Sequence, residues 1–121
     1  MKIMTNQSKG FYQIMGKVFG SREIERETKD RIYDDDEKEW YIELDKEKNV
    51  LAFVSIKDKT IKNIYGTPDK LEKILTKVYP IVTTGIVTKK YVQIYIKCGY
   101  KVEDLYSYFV KIYGGYTDEH K

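Results

Sequence analysis

Apolar residues recur along this chain at two spacings, and the switches between them mark out its elements. Phe11, Ile14, Met15, Val18 and Phe19 fall at i, i+3, i+4, i+7 and i+8, one face of a helix that Gly20 ends. Before it, Met1 to Thr5 reads as a short edge strand. Ser21 can cap a second helix, Arg22 to about Ile32, thin in apolar residues and rich in i,i+4 charge pairs. Beyond the acidic loop Asp34-Asp35-Asp36-Glu37, the period drops to two. Trp40, Ile42 and Leu44 alternate with Tyr41 and Glu43, the pattern of a half-buried strand with Glu43 on its exposed face. Val50 to Ile56 is apolar enough for a central strand, and Asp58-Lys59 turns tightly into a third, Thr60 to Tyr65.

The helical period then returns. Thr67-Pro68-Asp69 supplies an N-cap, an N1 proline and a first-turn acid in sequence, and Leu71, Ile74, Leu75 and Val78 form the buried face up to Pro80. Ile81 to Val87 reads as a strand. Thr88 is placed to cap a further helix, whose face is Tyr91, Ile94, Tyr95 and Cys98 and which stops at Gly99. Val102 to Asp104 and Leu105 to Tyr113 make a closing hairpin, with Tyr106, Tyr108 and Val110 on one face. Residues 1–115 form a single domain and 116–121 a polar tail; no linker or internal repeat interrupts them.

Composition narrows the chemistry. A chain of 121 residues with 41% hydrophobic and 34% charged residues holds one globular core. No apolar run approaches the roughly 20 residues that span a bilayer, and Met1 to Asn6 lacks the core of a secretory signal. A cytoplasmic location without membrane attachment is expected. Cys98 is the one cysteine and His120 the one histidine, which excludes an internal disulfide and argues against histidine-based catalysis or a zinc site. The net charge of +3 is too small and too interspersed for a dedicated nucleic-acid domain. Twelve tyrosines stand against four phenylalanines, and most are read as core residues with a polar tip.

The run Ile94-Tyr95-Ile96-Lys97-Cys98-Gly99-Tyr100 resembles the aliphatic-Tyr-x-Lys-x-Gly-aromatic signature near the end of GNAT-superfamily N-acetyltransferases. The order strand, helix, helix, three-strand meander, helix, strand, helix, hairpin is also that of the GNAT fold. The resemblance implies an α+β architecture: a mixed, mostly antiparallel sheet with helices on both faces. It further implies a V-shaped cleft where the strands around Tyr65 and Gly85 splay apart. Tyr95 falls on the tyrosine that protonates the departing coenzyme A thiolate in that family.

Other positions depart from the family. Its enzymes hold the pyrophosphate of acetyl-CoA with (Arg or Gln)-x-x-Gly-x-(Gly or Ala) between a strand and the next helix. Here Ile64-Tyr65-Gly66 runs through Thr67-Pro68-Asp69 to Lys70 and Leu71 with one glycine. Pro68 removes a backbone donor, and Asp69 sets a negative charge where phosphate would lie. Lys70 offsets it in part. Thr88 stands where the family has asparagine. Tyr91 stands where it has alanine, crowding the pantetheine arm. The third strand lacks the family's glutamate base, for which Glu43 is the substitute. These departures favour Tyr95 as a core tyrosine.

Two charged runs complete the survey. The 34–37 loop lacks the glycine and terminal glutamate of a calcium site. By the resemblance it would border an acceptor-amine site as an acidic lip. Lys70, Lys73 and Lys77, with Lys62 before them, could contact phosphates of a nucleic acid, but match the solvated face of an amphipathic helix. The leading expectation is a small GNAT-like protein with an eroded acetyl-CoA site and no expected cofactor. It would bind a macromolecular partner, most plainly a protein, as an inhibitor or adaptor, including one carried by a mobile element. The alternative is an acetyl-CoA-dependent N-acetyltransferase with Tyr95 as acid and the amides of residues 69–71 on pyrophosphate. A nucleic-acid-binding module is third.

Overall fold

A computed structural model describes residues 1–117; the tail residues 118–121, His120 among them, lie outside the described residues. The elements are β1 (Lys2–Met4), α1 (Phe11–Phe19), α2 (Arg22–Thr28), β2 (Glu39–Leu44), β3 (Val50–Lys57), β4 (Thr60–Gly66), α3 (Pro68–Val78), β5 (Thr84–Thr88), α4 (Val92–Lys97), β6 (Lys101–Tyr106) and β7 (Phe109–Tyr113). The strands form one sheet in the order β1-β2-β3-β4-β5-β7-β6. All neighbours are antiparallel except β4 and β5, which pair in parallel.

Helices cover both faces. Phe11, Met15 and Val18 of α1 and Ile24 of α2 pack on Trp40, Ile42 and Phe53. Leu71, Ile74, Leu75 and Val78 of α3, with Tyr95 of α4, pack on Tyr41, Ala52, Val54, Val110 and Ile112. β2 is therefore buried on both faces. Tyr41 and Glu43, read from alternation as the solvent side, are 6% and 5% exposed, because α3 lies over them.

Four boundaries differ from the sequence reading. α2 ends at Thr28, where Lys29 adopts a left-handed φ of 60° and the Thr28 hydroxyl turns back to the Ile24 carbonyl. Ile32 still packs into the core on the face that α1 and α2 cover, 4% exposed, but from the loop after α2. Pro80 draws Tyr79–Ile81 into a 3-10 turn, so β5 starts at Thr84 rather than Ile81. Thr88 caps a 3-10 turn, Lys89–Tyr91, before α4 begins. The last hairpin turns at Ser107 and Tyr108, not near Leu105, leaving Tyr106 and Tyr108 exposed at 58% and 53%. The predicted shared face with Val110 is absent. Of the twelve tyrosines, Tyr41, Tyr91, Tyr95 and Tyr100 are buried, and the others are half-buried or exposed.

Local chemistry explains the remaining turns. Asp58 and Lys59 both have positive φ (51° and 61°), as a two-residue turn between twisted strands requires. Gly99 sits at φ 95°, with the Tyr100 amide returning to the Tyr95 carbonyl at 3.0 Å, a glycine helix stop.

Candidate functional site at the divergence of β4 and β5

β4 and β5 pair only at Thr60 with Thr84 and Ile61 with Gly85. Gly85 thus belongs to the closed end, not to the opening expected there. Beyond it the strands separate, and the gap lies between Tyr65-Gly66 and Val87-Thr88. β4 ends at Gly66 by steric necessity: its φ is 156°, and a Cβ there would sit 2.2 Å from that of Ala52, its partner on β3.

Tyr91 crosses this gap. From the turn after β5, its hydroxyl accepts the Gly66 amide at 3.2 Å, with the residue only 5% exposed. Burial, opposed by the Gly66 amide and assisted by Tyr65 and Glu27, pushes its phenol up to about 12. Tyr95 lies deeper, with no exposed surface, and donates its hydroxyl to the Thr88 carbonyl at 2.8 Å. Burial, and secondarily Tyr91, holds its phenol far above the ordinary range. The hydroxyl faces the core, whereas a general acid must reach a departing group.

The start of α3 is likewise occupied from within. Thr67 takes the N-cap position with extended backbone but without a side-chain cap. Asp69, fully exposed, is held below the usual carboxylate range by the Thr67 side chain first and then by the Lys70 and Asp69 amides. The Leu71 amide donates to the Thr67 carbonyl at 2.9 Å, inside the helix, so it is not free for pyrophosphate. Leu71 is fully buried and Ile64 nearly so; Lys70 is half-buried.

Tyr65 is on the other face, its ring 5.8 Å from Phe53, with burial and then Glu27 and Glu23 raising its phenol. Glu27 in turn reaches Lys90 at 3.9 Å. Glu43 lies two strands from Gly66, across Ala52 in the sheet register. It is buried beneath α3, 3.5 Å from Lys73 and 3.5 Å from the Met1 amino group, with Oε2 making no hydrogen bond. Its carboxylate is engaged by these two cations.

The remaining candidates do not assemble there either. Residues 34–37 precede β2 at the Lys57–Thr60 end of the sheet, the opposite end of β4 from Gly66. They are pinned by Trp40 Nε1 to Asp34 (2.8 Å) and Lys57 to Asp35 (3.6 Å), so they form no acidic lip. No group of acidic, cysteine or histidine side chains among the described residues could hold a metal ion. Lys62 lines a pocket of about 380 Å³ with Asp30 and Lys57 on the α2 side, whereas Lys70, Lys73 and Lys77 belong to α3 across the sheet. The four make no single stripe. Cys98 is half-buried, its thiol pushed up by burial. Among the described residues no helix is long and apolar enough to cross a membrane.

What the sequence reading missed lies on α2 and the last hairpin. Arg22 and Arg26 of α2 and Lys29 at its C-cap, spaced i, i+4 and i+7, line a groove of about 560 Å³ with Glu25 and Tyr108. Their spacing was the available signal; Tyr108 needed the true turn position.

Neither a protein-family model nor a curated protein matches the sequence. Among solved structures, the chain is similar to spermidine N-acetyltransferase from Vibrio cholerae in complex with CoA and spermine. The two share 12% identity over 93% of each chain, with a TM-score of 0.57. The fold is GNAT-like. A second likeness is to the Campylobacter jejuni N-acetyltransferase PseH in complex with acetyl coenzyme A, at 18% identity, over 65% of this chain and 68% of that one, with a TM-score of 0.41. In this GNAT-like frame the gap between β4 and β5 is the expected cleft, and Tyr91 spans it.

Proposed function

We propose that this chain is a GNAT-fold binding module whose cofactor cleft is filled by its own side chains and that acts by docking a macromolecule. The observation that carries the reading is the Tyr91 hydroxyl on the Gly66 amide. It places a buried ring where a pantetheine arm would have to pass and consumes the last amide of β4. Asp69 supports the same reading, since it sets a carboxylate in the first turn of α3. An incoming phosphate would have to meet its charge. Tyr95, bonded inward to Thr88, serves as a core residue.

The second reading, an acetyl-CoA-dependent N-acetyltransferase, is favoured by the Vibrio cholerae structure, which has this fold in complex with CoA and spermine. Glu23 and Glu27 beside Tyr65 would suit a cationic acceptor. That reading requires Tyr91 to swing out and the Tyr95 hydroxyl to leave its carbonyl. Calorimetric titration with acetyl-CoA separates the two. The binding-module reading expects no heat and no melting shift at sub-millimolar ligand. A ligand at a hundred times its Kd would stabilise the fold by roughly 2.7 kcal/mol, and a shift of that size would overturn it.

A further inference from the structure

We propose that the groove between α2 and the β6–β7 turn binds single-stranded nucleic acid. This names the partner class of the binding module proposed above and rests on that reading in treating the groove as a docking surface. Arg22, Arg26 and Lys29 line it with Glu25 and Tyr108, three cations against one carboxylate. Among the described residues none of the three cations has a carboxylate within ion-pairing distance, whereas Lys89 and Lys90 nearby are paired with Asp104 and Glu27. Bringing three unpaired cations together against a second wall gains only the Lys29–Tyr108 cation–π contact and sets like charges side by side. An anionic polymer would neutralise them together and release its counterions.

The aromatic wall selects the class of polymer. Tyr108 is 53% exposed, and the Lys29 ammonium sits 5.2 Å from its ring centroid. Tyr106, 58% exposed and 5.6 Å from Phe109 between ring centroids, stands on the same hairpin outside the groove lining. An exposed ring beside a cationic track offers stacking to an unpaired base and charge to its backbone. An acidic peptide would use the cations but not the ring, and a duplex keeps its bases stacked on one another. Arg22 to Thr28 extends about 9 Å along the helix, with Lys29 just past its end, room for a short run of backbone rather than a lone phosphate. The groove is also anchored: the Lys89 amide donates to the Tyr108 carbonyl at 2.9 Å, fixing the hairpin turn beside the end of β5.

The test is fluorescence anisotropy of a labelled oligothymidylate of about 12 nucleotides with the full chain at about 50 mM salt. Saturable binding is expected. R22A/R26A/K29A should weaken it tenfold or more and flatten the log–log salt slope by about 2, as loss of three phosphate contacts requires. Tyr108→Ala should weaken it about fivefold or more, and Tyr108→Phe, which keeps the ring, should bind like the parent. All four positions are exposed, and unchanged melting temperatures will show that the variants fold. Absence of binding, an unaffected triple variant, a duplex bound as tightly, or polyglutamate competing as well as the oligonucleotide would each overturn the proposal. Heat with acetyl-CoA would instead overturn the filled-cleft reading and leave the oligonucleotide result standing, so the two failures are distinguishable.

Discussion

The Tyr91 hydroxyl lies 3.2 Å from the Gly66 amide, joining the turn after β5 to the end of β4 across the point where the two strands part. The parallel pair has only two paired positions, so this bond, rather than the ladder, ties the divergent ends together. The tie between the two strand ends thus rests on one side chain.

Tyr91→Phe is expected to cost about 1 kcal/mol in urea denaturation, the net value of one hydrogen bond. Tyr91→Ala should cost about 3 kcal/mol or more, since it also empties a ring-sized volume in a site that is 5% exposed. The Ala variant should still fail to bind acetyl-CoA, because Asp69 keeps a negative charge in the first turn of α3. A Tyr91→Ala protein that binds acetyl-CoA would place the block in Tyr91 alone.

Tyr95→Phe separates a core role from a catalytic one. Its hydroxyl is the donor to the Thr88 carbonyl, so the substitution should destabilise by about 1–2 kcal/mol. Nucleic-acid binding should be untouched, as Tyr95 has no exposed surface. If the variant folds like the parent yet loses a measured acetyl transfer, Tyr95 is the acid.

Much of the fold follows from periodicity. The meander, α1 and α3 each bury the residues that their spacing marks, because a local repeat and a single apolar face agree there. Glu43 was misread because alternation identifies two faces of a strand but not which of them a later helix will cover. Tyr91 shows the same limit: its apolar spacing marks burial, while its hydrogen bond to a residue 25 positions earlier depends on strand order. Arg22, Arg26 and Lys29 were visible as a stripe, but a stripe becomes a groove only when Tyr108 forms the facing wall.

Alkaline pH should unfold the protein steeply. Burial raises the phenols of Tyr91, Tyr95 and Tyr100 above the ordinary tyrosine value of about 10, Tyr91 to about 12. The folded state therefore holds protons that the unfolded chain releases above pH 10, so their stabilisation is full below pH 10 and is lost as pH rises through 10 to 12. Three such groups give a limiting slope of about 4 kcal/mol per pH unit above pH 10. Lys38, lowered from 10.5 by burial, acts in the opposite sense, while the raised phenols of Tyr41 and Tyr65 act in the same one. Circular dichroism and phenolate absorbance should change together above pH 10. Phenolate appearing at pH 10 in folded protein, with the full count of tyrosines, would contradict this burial.

Asn63 links a buried chain from Ser55 to Asp30. Ser55 Oγ donates to Asn63 Oδ1 at 2.7 Å, and Asn63 Nδ2 donates to Asp30 Oδ2 at 3.1 Å, with Ser55 fully buried and Asn63 3% exposed. Asn63→Leu removes both links and leaves a buried hydroxyl and a half-buried carboxylate without them, a cost of about 2–3 kcal/mol. The pH dependence adds a signature. Burial raises the Asp30 carboxyl despite the opposing bond from Asn63, so the folded state favours its protonated form. Its ionisation costs stability as pH rises through the window above 3.8, and removing the Asn63 donor should push the window higher. The deficit of Asn63→Leu relative to the parent should therefore shrink as pH falls into that window, as Asp30 takes up its proton. A deficit that is constant with pH would show that Asp30 does not depend on Asn63 and that the cost is one of packing alone.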